Sequence, residues 1–249
     1  MYGLLGKKLG HSRSPQIHAM LGDYPYALFE VEEEKVGEFL EKREFEGINV
    51  TVPYKETVIP YCAELTDAAK KIGAVNTIVK RADGTLLGHN TDYDGFIAMV
   101  LRAGIEIKNK KCLVLGSGGA SKTVRTVLSD LEAREIIVIS RLGEHNYQNI
   151  HRHYDAQIIV NTTPVGMYPK VDETPLTLEQ FTALEGVLDV IYNPRPTKLL
   201  SLAEKQGVVA VDGLYMLVCQ AIAASERFFD RPIGYERAEE ICNAVAKTL

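Results

Sequence analysis

Three short clusters hold most of the groups in this chain that could do chemistry on a small polar molecule: Ser12-Arg13-Ser14-Pro15, Asn49-Val50-Thr51-Val52-Pro53-Tyr54-Lys55 and Asn90-Thr91-Asp92. Their hydroxyls, amides and helix-start N–H groups suit the orientation of a polyhydroxylated carboxylate, with the Ser12-to-Pro15 cluster offering two hydroxyls and helix-start amides to an anion. A lysine beside a carboxylate can exchange a proton with an alcohol oxygen while a hydride moves at the same carbon. Lys55 and Asp92 therefore form a candidate pair for metal-free dehydrogenase chemistry. Each cluster also has a plain structural reading: Ser14 as a helix cap, Lys55 as a surface charge, Asp92 as the cap of the next helix.

A different ligand is indicated by Leu113-Val114-Leu115-Gly116-Ser117-Gly118-Gly119-Ala120, where an apolar strand turns through glycines into an amphipathic helix. Such a turn lets the backbone approach a pyrophosphate, and the helix-start amides attract its charge. Ser121 stands where the third glycine of a GxGxxG pattern would be. About twenty residues on, an NAD site carries an acidic residue for the ribose hydroxyls. This chain has Ser140 and Arg141 there, a hydroxyl and a guanidinium that suit a 2′-phosphate, so the pattern points to NADP.

The elements that must position these groups read as two alternations. Tyr2–Gly6, Ser14–Gly22, Ala27–Val31, Lys35–Lys42 and Ile48–Pro53 give a βαβαβ rhythm, followed by a hairpin over residues 76–89 with Ala82-Asp83-Gly84 as its turn. A helix over Asp92–Leu101, with Phe96, Val100 and Leu101 as its apolar stripe, stops at Gly104 and links two domains. Strands at 112–115, 135–140, 158–161, 187–191 and 208–211 then alternate with helical patterns, as in a doubly wound parallel sheet. Residues 143–155 show no helical face and read as a segment that is short, mobile or partly ordered by cofactor. Helices over 215–229 and 235–249 close the chain, the second with Ala238, Ile241, Cys242 and Val245 on one face. The fold class is thus α/β with two domains: residues 1–93 plus 214–249 for substrate, 94–213 a Rossmann-type dinucleotide-binding domain, and a cleft between them that closes on both ligands.

Composition narrows the function classes. A formal charge of −5 supplies no basic field for nucleic acid or an anionic membrane, which leaves a small-molecule substrate as the expected partner. No stretch reaches the ~18 apolar residues of a membrane span, the first residues lack a signal-peptide core, and four scattered cysteines read as reduced thiols. A cytoplasmic monomer or homodimer is expected.

Taken in order, Gly10-His11-Ser12-Arg13-Ser14-Pro15-Gln16-Ile17-His18, Gly47-Ile48-Asn49-Val50-Thr51-Val52-Pro53-Tyr54-Lys55, Gly73-Ala74-Val75-Asn76-Thr77, Gly88-His89-Asn90-Thr91-Asp92, Gly116–Ala120, Asn161-Thr162-Thr163-Pro164-Val165-Gly166-Met167, Asp189–Pro194 and Met216–Gln220 resemble the motifs of the shikimate dehydrogenase family across nearly the whole chain. The resemblance implies NADPH-dependent reduction of 3-dehydroshikimate to shikimate on the route to chorismate and the aromatic amino acids. It further implies Lys55 and Asp92 as the catalytic pair, Ser12 and Ser14 at the substrate carboxylate, and Thr51, Asn76, Asn90, Tyr192 and Gln220 around the substrate. Gly116, Ser117, Gly118, Gly119 and Ala120 would hold the pyrophosphate, Ser140 and Arg141 the adenosine phosphate, and Thr163, Val190, Gly213 and Met216 the nicotinamide side. The family's usual Asn-Arg-Thr reads Ser140-Arg141-Leu142 here, without the further basic residue often found after it, which implies a weaker NADP preference. Two alternatives are an NAD-linked quinate/shikimate dehydrogenase, against which Ser14 and the missing acidic residue argue, and a regulatory module without catalysis, against which Lys55 and Asp92 argue.

Overall fold

A computed structural model describes all residues, Met1–Leu249, and divides them into two units: Met1–Gly95 with Val218–Thr248, and Phe96–Leu217. The breaks fall inside two helices, α4 (Thr91–Ala103) and α7 (Leu214–Phe229).

In the first unit, β1 (Tyr2–Gly6), β2 (Tyr26–Glu30) and β3 (Gly47–Val50) are mutually parallel, with β1 between the other two. They are joined by α1 (Ser14–Leu21) and α2 (Val36–Lys42), as the alternation requires. The hairpin of β5 (Thr77–Lys80) and β6 (Leu86–His89) adds on antiparallel, and a two-residue strand β4 (Glu64–Leu65) completes the order β2-β1-β3-β5-β6-β4. Asp83 holds the hairpin turn, its carboxylate accepting from the amide and hydroxyl of Thr85, and Gly84 takes the left-handed φ of 81° that the turn needs. One sheet face packs Leu5, Val36, Leu40, Phe45, Ile48, Val50, Ile78 and Leu86 into a closed core.

Another set of buried rings surrounds His18 on α1, which stacks on Tyr26 with centroids 3.9 Å apart and has Nδ1 2.6 Å from the Tyr24 hydroxyl. Burial drives the His18 pKa down from 6.5 to about 3, against a small opposing hydrogen bond from Asn49. His18 is neutral when folded and protonates near 6.5 when unfolded, so stability is complete above 6.5 and is lost as pH falls toward 3. Between pH 7.5 and pH 5 this costs about 2 kcal/mol. Urea unfolding at the two pH values, compared with His18→Phe, should show a shallower acid dependence in the variant; an equal dependence would remove His18 as a cause.

The second unit is a five-stranded, all-parallel sheet: β7 (Lys111–Leu115), β8 (Glu135–Ile139), β9 (Ile158–Asn161), β10 (Gly186–Asp189) and β11 (Val209–Val211), in the order β11-β10-β9-β7-β8. The order reverses at β7, which has β8 on one side and β9 on the other, so ligand binding is expected beyond the carboxyl ends of these strands. Helix α5 (Gly119–Asp130) buries Val124, Val127 and Leu128, and α6 (Lys198–Lys205) buries Leu199, Leu200 and Ala203. Thr197 caps α6 by accepting from the Leu200 amide.

Four local expectations change. Leu101 is 68% exposed, because it lies well around the helix from Phe96, and Met99 joins Phe96 and Val100 in the buried stripe instead. Ser14 is the first residue of α1 and makes no cap bond; Ser12 Oγ accepts from the Ser14 amide. Residues 56–75 carried no expected element but form a 3₁₀ turn at Ile59–Tyr61, β4, and α3 (Asp67–Ile72), which ends on Gly73 at φ 69°. The segment after Arg141 is a built loop: the Asn146 and Asn149 side chains bond to the backbone of their own loop, and a 3₁₀ turn over Ile150–His153 follows.

Candidate active and cofactor sites

In the first unit, the carboxyl ends of β1, β3 and β6 and the start of β5 share one end of the sheet, as the registers Leu5↔Val50, Asn49↔Thr77 and Thr77↔His89 require. The segments leaving that end carry Ser12, Ser14, Thr51, Lys55, Asn76, Asn90 and Asp92. Lys55 lies in the turns after β3, with its carbonyl held by the Val75 amide at 2.8 Å. Its Nζ donates to Asp92 Oδ2 at 2.5 Å, and both side chains keep part of their surface, 27% and 19%. Asp92 sits in the first turn of α4, where the free amides favour its negative charge.

The two asparagines are buried and differently engaged. Asn76 Oδ1 accepts from the Thr91 amide at 2.6 Å and from the Thr77 and Thr91 hydroxyls at 3.1 and 3.2 Å, fixing the start of α4. Asn90 Nδ2 donates to the Ala74 carbonyl at 2.9 Å, while its Oδ1 is buried without a partner. A buried acceptor left unpaired costs free energy, so it marks where an incoming hydroxyl would be welcome. Ser14 lies against the Tyr26 hydroxyl, which donates to Asn49 Oδ1 at 2.7 Å. Tyr26, which no sequence motif contained, is thus a positioning group, as are His18 and Thr91 inside the motifs. Gln220 is half-buried on α7 in the same unit, whereas Tyr192 follows β10 in the other.

The second unit has a cavity of about 700 Å³ at its switch point. Gly116, Ser117 and Gly118 line it after β7, Ser140 and Arg141 after β8, and Thr162, Thr163, Pro164 and Val165 after β9; Tyr147, Thr174 and Pro175 complete it. Gly119 and Ala120 open α5 but are not in the lining. Val190, Gly213 and Met216 also lie outside it, beyond the ends of β10 and β11. Gly213 packs on the strand itself, since an added Cβ would fall 2.1 Å from the Val190 carbonyl oxygen. Tyr147, Thr174 and Pro175 are the lining residues that no sequence motif contained. Thr162 pins the wall by donating its hydroxyl to the Leu115 carbonyl at 2.7 Å.

Gly116 has φ 101°, and a Cβ there would stand 2.9 Å from Thr163 Cγ2 and 3.0 Å from Thr162 Oγ1. Gly116→Ala therefore combines backbone strain with a clash on the cavity wall, and should lower stability by about 1–3 kcal/mol and weaken cofactor binding at least tenfold. Thermal unfolding and a cofactor titration measure both; wild-type values in either would contradict it. Arg141 is the only charged side chain lining the cavity, with no carboxylate facing it. Glycine turn, helix start, cavity size and a lone guanidinium together fit a dinucleotide bearing an extra phosphate.

Comparison with known proteins agrees with this geometry. Residues 4–78 match the family described as shikimate dehydrogenase substrate binding domain. The chain is 41% identical to the shikimate dehydrogenase (NADP(+)) of Clostridium beijerinckii, covering 90% of both chains. Among solved structures, it resembles a chorismate mutase/shikimate 5-dehydrogenase fusion protein from Clostridium acetobutylicum at 40% identity and TM-score 0.94, covering 99% of this chain and 97% of that one. The Thermus thermophilus shikimate 5-dehydrogenase, solved with NADP(H) and shikimate, follows at 29% identity and TM-score 0.86, with 98% of each chain covered. A chain with this sheet order, these motifs and this degree of identity belongs to the shikimate dehydrogenase family.

Proposed function

We propose that this protein reduces 3-dehydroshikimate to shikimate with NADPH, reversibly and in the cytoplasm, on the route to the aromatic amino acids. The observation that carries the proposal is the Lys55–Asp92 ion pair, at the sheet end whose departing segments also carry Ser12, Ser14, Thr51 and the unpaired carbonyl of Asn90. The first unit holds the substrate and the second the cofactor. When bound, NADPH supplies the hydride to the ring carbonyl carbon. Lys55 gives its proton to the carbonyl oxygen as negative charge develops there, and Asp92 holds the Lys55 side chain in place. Ser12 and Ser14 hold the carboxylate, while Thr51, Asn76, Asn90, Tyr192 and Gln220 hold the ring and its hydroxyls. Gly116–Ala120 seat the pyrophosphate, with Ser140 and Arg141 on the 2′-phosphate and Thr163, Val190, Gly213 and Met216 toward the nicotinamide. Four free thiols fit a reducing compartment, and no helix is long and apolar enough to cross a membrane.

The test is a two-by-two assay of shikimate or quinate with NADP⁺ or NAD⁺, followed by reduced-nicotinamide absorbance. Turnover concentrated in shikimate with NADP⁺ is expected. Stronger turnover of quinate or NAD⁺ would overturn the substrate or cofactor assignment, and no turnover by a folded protein would overturn the enzyme reading.

A further inference from the structure

Asp189 ends β10 with no exposed surface, and every partner it has is a donor. Its Oδ1 accepts from Asn161 Nδ2 at 3.0 Å and from the Ile191 amide at 3.1 Å; its Oδ2 accepts from the Thr197 hydroxyl at 2.8 Å. An ionised carboxylate can only accept, so it dictates which end of the Asn161 amide faces it. With the NH₂ end turned to Asp189, the Asn161 carbonyl is left for Thr163, whose amide and hydroxyl donate to it at 3.0 and 2.7 Å. The Thr163 hydroxyl, its own proton committed, accepts from the Val165 amide at 3.2 Å. Thr163 and Val165 are cavity wall, whereas Asp189 and Asn161 lie behind it.

We propose that Asp189 is a positioning residue for cofactor binding: through the Asn161 amide it sets the hydrogen-bond polarity of the Thr163 turn without touching the cofactor. The inference rests on the reading that this cavity holds NADPH. An asparagine at position 189 would keep the shape but, unlike the carboxylate, can turn its NH₂ toward Asn161, so that it no longer imposes one orientation on that amide, whose NH₂ keeps only the Val165 carbonyl at 3.4 Å as an obligate acceptor.

The carboxyl is also poised to lose its charge under mild acid. Burial foremost, with Asp212 adding to it, raises Asp189 to about 6 against the opposing bonds from Ile191, Thr197 and Asn161. Asp212 is itself paired with Arg195 at 2.7 Å, and on α6 Lys198 is turned away onto the Asp172 carbonyl. Protonation as pH falls through 6 releases the constraint on Asn161, so cofactor affinity should weaken in acid through Thr163.

NADPH dissociation constants, read by nicotinamide fluorescence, test this in the unmodified protein, Asp189→Asn, Thr163→Ala and the double variant. Each single change should weaken binding about tenfold, the double variant no more than the weaker-binding single, and in Asp189→Asn, whose side chain does not line the cavity, kcat at saturating cofactor should stay within about twofold. Losses that multiply, or a lowered kcat with unchanged cofactor affinity, would overturn the proposal. A second measurement does not depend on folding of the Asp189 variant. Between pH 7.5 and 5.5, affinity should fall more steeply in the unmodified protein than in Thr163→Ala, the titration of the cofactor's own phosphate being common to both. Equal profiles would also overturn it. Failure of the unmodified protein to bind NADPH would instead overturn the cavity assignment, and this inference with it.

Discussion

Lys55→Ala should lower turnover of shikimate with NADP⁺ by roughly a thousandfold while shikimate still binds. The magnitude follows from the work assigned to Lys55: without it, the alcohol oxygen of shikimate has only water to take its proton as the hydride leaves, the reverse of the protonation in the reduction. The contact proposed for Ser12 and Ser14 with the carboxylate would not change between ground state and transition state, so the loss should fall on kcat more than on KM. Structural collapse is not a competing explanation. Lys55 and Asp92 are 27% and 19% exposed, and Asp92 stays in the first turn of α4, where a negative charge is favoured, after the lysine is gone. A partly exposed ion pair of this kind contributes about 1 kcal/mol at most. Asp92→Asn leaves the lysine in place but removes its fixed acceptor, and should cost less than Lys55→Ala. Stopped-flow and steady-state rates, with circular dichroism as a fold control, measure all of this; near-normal turnover in Lys55→Ala would end the proposed role.

What the sequence makes legible here is what is local. A strand-glycine-helix turn announces itself because Gly116 must adopt φ 101° against the side chains of Thr162 and Thr163, and only glycine does so without strain. The Asp83-Gly84 turn is equally local, and both sheets follow from runs of apolar residues with breakers between them. Properties made by partners far along the chain are not legible. Whether Asn90 keeps a free carbonyl depends on the Ala74 backbone sixteen residues away taking the other end of the amide. That Asn76 tethers α4, or that Tyr26 backs Ser14, depends on strand registers no short window contains. The misplacement of Leu101 has the same root: periodicity identifies a helix, but apolar residues are also common on surfaces, so one leucine cannot locate the buried face. Val190, Gly213 and Met216 belong to the proper end of the parallel sheet yet line no part of the cavity, and their place beside a nicotinamide rests on the family likeness rather than on the geometry of the cavity.

Arg141→Ala should raise the KM for NADP⁺ by about 10- to 100-fold and leave that for NAD⁺ within about threefold. Arg141 is the single charged group on the cavity lining, beside Tyr147, whose hydroxyl is pushed up by burial and pulled down by the Arg141 charge. Arg141 lies with Ser140 beyond the carboxyl end of β8, where a ribose bound along the glycine turn would present its 2′ position. A charge-assisted hydrogen bond to phosphate contributes about 1.5–3 kcal/mol, which converts to the stated range. Because Arg141 is exposed and acts alone, added salt should screen it, and the NADP⁺ preference of the unmodified protein should shrink as ionic strength rises. Leu142, fully exposed beside it, supplies no second cation to resist that screening. Arg141→Asp goes further: a carboxylate facing the cavity repels the 2′-phosphate and can accept from free ribose hydroxyls, so the ratio of kcat/KM for the two cofactors should invert in favour of NAD⁺. Steady-state kinetics with each cofactor at two salt concentrations measure all three effects. An unchanged cofactor ratio in both variants would place the 2′-phosphate elsewhere on the unit and remove Arg141 from its recognition.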